Sequence, residues 1–100
     1  MERVGIVGLG SYLPSRIMRN QEWEEIVDTS NEWIVSKTGI RERRIASDDT
    51  CTSDLAVFAA KDALEDSGIN PENIDLIILA TSSPDVPLSS TASIVQAKLG

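Results

Sequence analysis

Histidine is absent from this 100-residue sequence, so it holds neither an imidazole general base nor an imidazole metal ligand. Cysteine occurs once, at Cys51, which leaves no partner for an intramolecular disulfide and fits a reducing compartment. Positive charge is scarce: nine Lys and Arg face sixteen Asp and Glu, and the net −7 argues against general nucleic-acid binding. Aromatic residues number only four, and the 41% hydrophobic content is mainly aliphatic, an ordinary globular balance. Apolar runs such as Leu76 to Ala80 fall far short of the roughly 20 residues that cross a bilayer. The N-terminus carries no secretory pattern, because Glu2 and the interspersed glycines spoil both its charged and its apolar regions. These absences predict a soluble, cytoplasmic protein with no metal site, no membrane and no nucleic-acid partner. The length suits one small domain or a piece of a larger one.

The positive charge that is present gathers in residues 28–44, DTSNEWIVSKTGIRERR, where Lys37, Arg41, Arg43 and Arg44 supply four of the nine basic side chains. Thr29 reads as a helix N-cap, with Glu32 three residues later completing a capping box. Trp33 and Lys37 then stand four residues apart and share a helical face. The helix is expected to break at Gly39 and run into the arginines. An indole beside an ammonium, with guanidiniums past the turn, suits a ligand that has a flat ring and phosphates. The competing reading is that Trp33 packs into the core and the arginines form a solvated turn.

Around this stretch, residues 4–9 (VGIVGL) read as a buried strand. Gly8-Leu9-Gly10 is not a dinucleotide fingerprint, since no third glycine opens a helix and Ser11-Tyr12-Leu13-Pro14 follows instead. These glycines are expected to serve a tight turn at the strand end. A first helix is predicted over 20–27 with Asn20 as its cap and Trp23 packed against the domain. Residues 46–50 read as a surface loop. The longest helix is predicted over 52–67, with Leu55, Ala56, Phe58, Ala59, Ala60 and Ala63 as a broad apolar face. Its alanines would let it lie close to a sheet, its Asp62, Glu65 and Asp66 would face outward, and Gly68 would stop it. Asn70-Pro71-Glu72 is a cap and first turn. Residues 76–81 (LIILAT) are apolar at successive positions, the mark of an interior parallel strand. A loop over 82–89 and a last helix over 91–99 complete the chain. Strand, helix and strand predict a right-handed parallel crossover, the opening of a larger α/β domain rather than a unit that folds alone.

Three stretches carry a resemblance: VGIVGLGSYLPSRIMRN, TSNEWIVSKTGIRERRIA and IDLIILATSSPD. In order and spacing they are similar to the N-terminal portion of the β-ketoacyl-acyl-carrier-protein synthase III family, across essentially all 100 residues. The resemblance implies an α/β, thiolase-like fold, of which residues 1–100 would be an incomplete N-terminal segment of the first βαβ-rich half. It implies a homodimer that moves an acyl group from acyl-coenzyme A onto a cysteine and condenses it with malonyl-acyl carrier protein, losing carbon dioxide. This step starts fatty-acid synthesis and needs no prosthetic group. Trp33 matches the tryptophan that stacks on adenine, Thr29 a neighbour that hydrogen-bonds near that ring, and Lys37 a position often held by Arg beside the phosphates. Asn31 replaces a frequent Asp. Leu88 falls in the loop that reaches across the dimer to line the partner's acyl pocket. Arg41, Arg43 and Arg44 match in sequence, with salt bridges or carrier-protein contact as their expected roles. The family's nucleophilic cysteine, histidine and asparagine lie beyond residue 100, and Cys51 does not match that cysteine, so no catalytic residue is expected within the chain. Polyketide, quinolone and hydroxymethylglutaryl-type relatives stay open, as do a non-catalytic coenzyme A-binding or dimerising piece and a structural fragment without a ligand.

Overall fold

The computed structural model describes residues 3–100. In chain order the elements are strand β1 (Arg16–Arg19), helices α1 (Asn20–Glu24) and α2 (Asn31–Thr38), strand β2 (Glu42–Ile45), helix α3 (Thr52–Ser67), a 3-10 turn (Pro71–Asn73) and helix α4 (Thr91–Leu99). They belong to two compact units, one formed by Leu13–Asp48 and the other by residues 3–12 together with Asp49–Gly100.

In the Leu13–Asp48 unit, β1 and β2 pair antiparallel, with Arg16 opposite Ile45, Ile17 opposite Arg44, Met18 opposite Arg43 and Arg19 opposite Glu42. Met18 is the buried member of β1, and Ile34 is the buried member of α2. Neither strand was expected. Four-residue strands rich in arginine lack the apolar alternation by which a strand is recognised. Helix α1 starts one residue earlier than expected: Arg19, not Asn20, is the N-cap, and its backbone N–H donates to Glu22 Oε1 at 3.0 Å. Asn20 is instead the first helical residue and is wholly buried. The helix also ends at Glu24, short of residue 27, where the N–H groups of Ile26 and Val27 both turn back to the Trp23 carbonyl.

The other unit is built on α3 and α4, whose buried positions are Ser53 and Val57 on α3 and Thr91 and Val95 on α4. Helix α3 spans the expected residues and stops at Gly68, whose φ of 70° suits a residue without Cβ. Asn70 caps the 3-10 turn as anticipated, its Oδ1 accepting the Glu72 N–H at 3.2 Å. Lys98 of α4 donates to Ser53 Oγ at 2.6 Å and to Asp54 Oδ1 at 2.7 Å, tying the two helices together. The Lys98 hydrogen bond, helped by the Cys51 N–H, holds the Asp54 carboxyl below its usual 3.8, while the bond to Asp54 raises Lys98 above 10.5. The contribution of Asp54 is therefore present above 3.8 and lost as pH falls through its lowered value. That of Lys98 is present below 10.5 and lost as pH rises through its raised value. Urea titrations of the wild type and Lys98→Met should differ by a constant amount between these limits, with the difference shrinking at both extremes.

Residues 4–9 and 76–81 form no ladder, and the two-stranded β1–β2 sheet is the only one among the described residues. The expected parallel crossover is therefore absent from them. A strand requires a partner about 4.8 Å away, and none of the described residues supplies it. Val4 is 99% exposed and Ile78 84%. Ile77 and Leu79 are half-buried between exposed neighbours, the period-two pattern of an extended segment covered on one side.

The Gly8-Leu9-Gly10 segment lies against α3 instead of serving a turn. Its N–H groups at Leu9 and Ser11 donate to Asp66 Oδ2 and Asp62 Oδ2, each at 2.9 Å, and the Tyr12 and Phe58 rings meet with centroids 4.6 Å apart. Asp62 and Asp66 thus hold backbone, where simple solvation was expected of them. A Cβ on Gly8 would sit 2.6 Å from Ser67 Cβ, and one on Gly10 would overlap the backbone of Ala59 and Ala63. The glycines and alanines face each other because only hydrogen and methyl fit. Gly10→Ala should push the segment off α3 and cost about 1–3 kcal/mol, as overpacking does, readable as a lower denaturation midpoint.

Candidate functional site

Helix α2 carries the sequence-predicted ligand residues. Its N-cap is Ser30, not Thr29: Ser30 has extended backbone, and its Oγ accepts the Trp33 N–H at 3.2 Å. An N-cap hydroxyl reaches the N–H three residues on, which fits Ser30 with Trp33 and would require Glu32 for Thr29. Thr29 is half-buried, immediately before that cap. At the other end, Thr38 Oγ1 donates to the Ile34 carbonyl at 2.7 Å and accepts the Ile40 N–H at 3.0 Å. Gly39, with φ 72°, ends the helix where the sequence indicated.

Between these ends Ile34 is turned inward, while Trp33 and Lys37 are exposed on the face they share. Trp33 is 58% exposed, so it is not a core residue. Lys37 makes no ion pair among the described residues. An accessible indole face therefore lies one helical turn from an ammonium that no carboxylate pairs with among the described residues. That pairing can stack a planar heterocycle and attract an anion attached to it.

The support for α2 converges on Asn20. Its Nδ2 donates to Asn31 Oδ1 at 3.0 Å and to the Ile40 carbonyl at 2.8 Å, and its Oδ1 accepts from Arg43 Nη2 at 2.7 Å. Its backbone N–H donates to the Arg41 carbonyl at 3.2 Å. The first residue of α2, the residue after its terminal glycine and strand β2 are thereby tied to one buried amide. The Asn31 N–H also donates to Glu24 Oε1. The atom by which Asn31 meets Asn20 is an acceptor that an aspartate would supply equally, so the replacement of a frequent Asp leaves this contact intact. Sequence reasoning missed Asn20 as a hub because a buried asparagine and a helix-capping asparagine look alike in sequence.

The arginines have separate fates. Arg43 bonds Asn20 and places its guanidinium 6.0 Å from the Trp23 ring, while Arg44 donates to the Pro14 carbonyl at 2.9 Å. Neither forms a salt bridge among the described residues. Trp23, expected as packing, remains 37% exposed beneath that guanidinium. The Arg41 side chain is exposed.

Leu88 belongs to the other unit, in the loop after residue 81, and is 100% exposed. Cys51 is exposed at the start of α3, where its N–H donates to Asp54 Oδ2. Among the described residues no group of acidic, cysteine or histidine side chains could hold a metal ion, and no helix is long and apolar enough to cross a membrane.

No protein-family model matches the chain. Among curated proteins it is 60% identical over 98 residues to the β-ketoacyl-[acyl-carrier-protein] synthase III of Syntrophomonas wolfei, covering 98% of this chain and 30% of that protein. To the synthase III of Ehrlichia ruminantium it is 57% identical over 99 residues, covering 99% of this chain and 31% of that protein. Among solved structures, the 3-oxoacyl-[acyl-carrier-protein] synthase III of Aquifex aeolicus matches with a TM-score of 0.84 and 51% identity, over 94% of this chain and 30% of that one. The priming β-ketosynthase of the R1128 polyketide pathway matches with a TM-score of 0.85 and 36% identity, over 94% and 28%. The chain thus spans about three tenths of the length of the relatives it matches. Within that span it has the α/β, thiolase-like fold of these condensing enzymes, and over nearly its whole length it matches the β-ketoacyl-[acyl-carrier-protein] synthase III family.

Proposed function

We propose that these residues are the N-terminal part of a condensing acyltransferase that takes its acyl group from acyl-coenzyme A. The observation that carries this reading is the exposed pair Trp33 and Lys37 on one face of α2. The adenine ring stacks on Trp33, Thr29 hydrogen-bonds beside it, and Lys37 meets the phosphates. Lys37 supplies charge without the planar fork of an arginine, so it acts as a point contact. Arg41 is the arginine left for a carrier-protein contact, since Arg43 and Arg44 are engaged within the unit. Leu88 reaches across a homodimer to form the floor of the partner's acyl pocket.

The reaction moves the acyl group from the coenzyme A sulfur to a cysteine thiolate outside residues 1–100. Malonyl-acyl carrier protein then loses carbon dioxide, and its carbanion attacks the acyl carbonyl and expels the cysteine thiolate to give the β-ketoacyl-acyl carrier protein. No prosthetic group takes part, and the whole enzyme acts in the cytoplasm. The residues described here bind and orient the first substrate. The bare apolar faces of residues 4–9 and 76–80 are then surfaces that the rest of the domain covers, which supports reading them as an incomplete thiolase-like half.

The test is an assay of the full natural polypeptide with acetyl-coenzyme A and malonyl-acyl carrier protein. Formation of the β-ketoacyl product and carbon dioxide, dependent on both substrates, is expected. Coenzyme A binding without product would instead favour a non-catalytic binding role. A polyketide-priming role is the second reading, favoured by the 36% identity to the R1128 enzyme. The higher identities to synthase III proteins weigh towards fatty-acid initiation.

A further inference from the structure

The loop between residue 81 and α4 is anchored at its base and free at its tip. Thr52 Oγ1 donates to the Ser83 carbonyl at 2.6 Å. Asp85 Oδ1 accepts the Ser53 N–H at 2.8 Å, and the Asp85 N–H donates to Thr91 Oγ1 at 3.3 Å. Asp85 is half-buried, whereas the residues on either side of it, up to Ser90, are exposed. Cys51, the N-cap of α3, provides no hydroxyl or carboxylate to satisfy the first N–H groups of that helix. Asp85 meets one of them from outside the helix, where a carboxylate also suits the positive end of the dipole. Ser53 is wholly buried, and its Oγ is bonded by Lys98 of α4, so the two helices that flank the loop are fixed to each other at the point Asp85 grips. Three residues further on, Leu88 stands fully exposed.

We propose that Asp85 is a positioning residue for the acyl pocket: by linking the start of α3 to the start of α4 it fixes the height at which Leu88 is presented. This rests on the reading of Leu88 as the pocket floor. An acyl chain is discriminated by how many methylenes fit above that floor, and each methylene is worth roughly 10–200-fold in specificity. Releasing the base of the loop lets the floor give way and blurs that discrimination.

The experiment compares Asp85→Ala, Asp85→Asn, Thr52→Val and Leu88→Ala in the full natural polypeptide. The readout is the ratio of kcat/KM for acetyl-, butyryl- and hexanoyl-coenzyme A. Asp85→Ala should reduce the ratio between the best and worst primer by roughly tenfold, on the scale of one methylene. Asp85→Asn keeps an oxygen that accepts the Ser53 N–H and should stay near the wild-type profile. Thr52→Val removes the second anchor and should shift the profile in the same direction as Asp85→Ala, which keeps the test alive if Asp85→Ala fails to fold. A profile altered by Leu88→Ala but unchanged by both Asp85→Ala and Thr52→Val overturns the proposal while sparing the pocket reading. A profile unchanged by Leu88→Ala overturns the pocket reading itself.

Discussion

Trp33→Ala should weaken coenzyme A binding by about fivefold to 150-fold in the full natural polypeptide, the loss of roughly 1–3 kcal/mol that stacking one base on an aromatic ring provides. The reasoning runs through exposure. The ring is 58% exposed and lies about 100° around α2 from the buried Ile34, so folding draws little on it. Its removal leaves Ser30 free to accept the same backbone N–H, since that hydrogen bond belongs to the main chain of residue 33. The expected signature is a higher KM for acyl-coenzyme A, with the denaturation midpoint almost unmoved. Isothermal titration with coenzyme A and a urea melt, run on the same two proteins, check both halves of the statement. A large fall in stability with unchanged affinity would make Trp33 a packing residue after all.

Asn20→Ala should do the reverse, with a loss of stability of about 3 kcal/mol or more. The side chain is wholly buried and bonds Asn31, the Ile40 carbonyl and Arg43. Truncation leaves two acceptors and a guanidinium in part-buried hydrogen bonds without their partner, and an unsatisfied group out of reach of water costs about 1–3 kcal/mol, more when charged. Among the described residues Arg43 Nη1 is already buried without a hydrogen-bond partner, so the guanidinium would keep only its contact with the Trp23 ring. Asn20 also ties the first residue of α2 to the residue after Gly39, so the variant should loosen the helix that carries Trp33 and Lys37. Chemical denaturation gives the stability change. Coenzyme A titration below the new midpoint should then show weaker binding, although Asn20 lies behind the helix rather than on its exposed face.

These two residues also show how far the sequence could be read. The Trp33–Lys37 face was legible because four-residue spacing on a helix is a local property, and the end of α2 was legible because Gly39 takes a left-handed conformation. The bounds of α3 and α4 followed from the same kind of signal, a periodic apolar face stopped by glycine. The hub at Asn20 was not legible, because its partners lie 11 to 23 residues away and depend on a pairing of β1 with β2 that arginine-rich segments do not announce. Thr29 and Ser30 offer adjacent hydroxyls, and only backbone conformation makes Ser30 rather than the expected Thr29 the cap. Residues 4–9 and 76–81 have the composition of buried strands, yet their ladder and burial depend on neighbours that the described residues do not provide. Asp62 and Asp66 looked like a solvated helix face, and only the path of residues 9–11 reveals them as acceptors for main-chain N–H groups.

The most direct measurement is a crystal structure of the full natural polypeptide with coenzyme A bound. The expected result is an adenine ring stacked on the exposed face of Trp33, with a phosphate oxygen within hydrogen-bond reach of Lys37 Nζ. Coenzyme A seated elsewhere, with the Trp33 face open to solvent, would contradict the assignment of α2 as the coenzyme-binding wall.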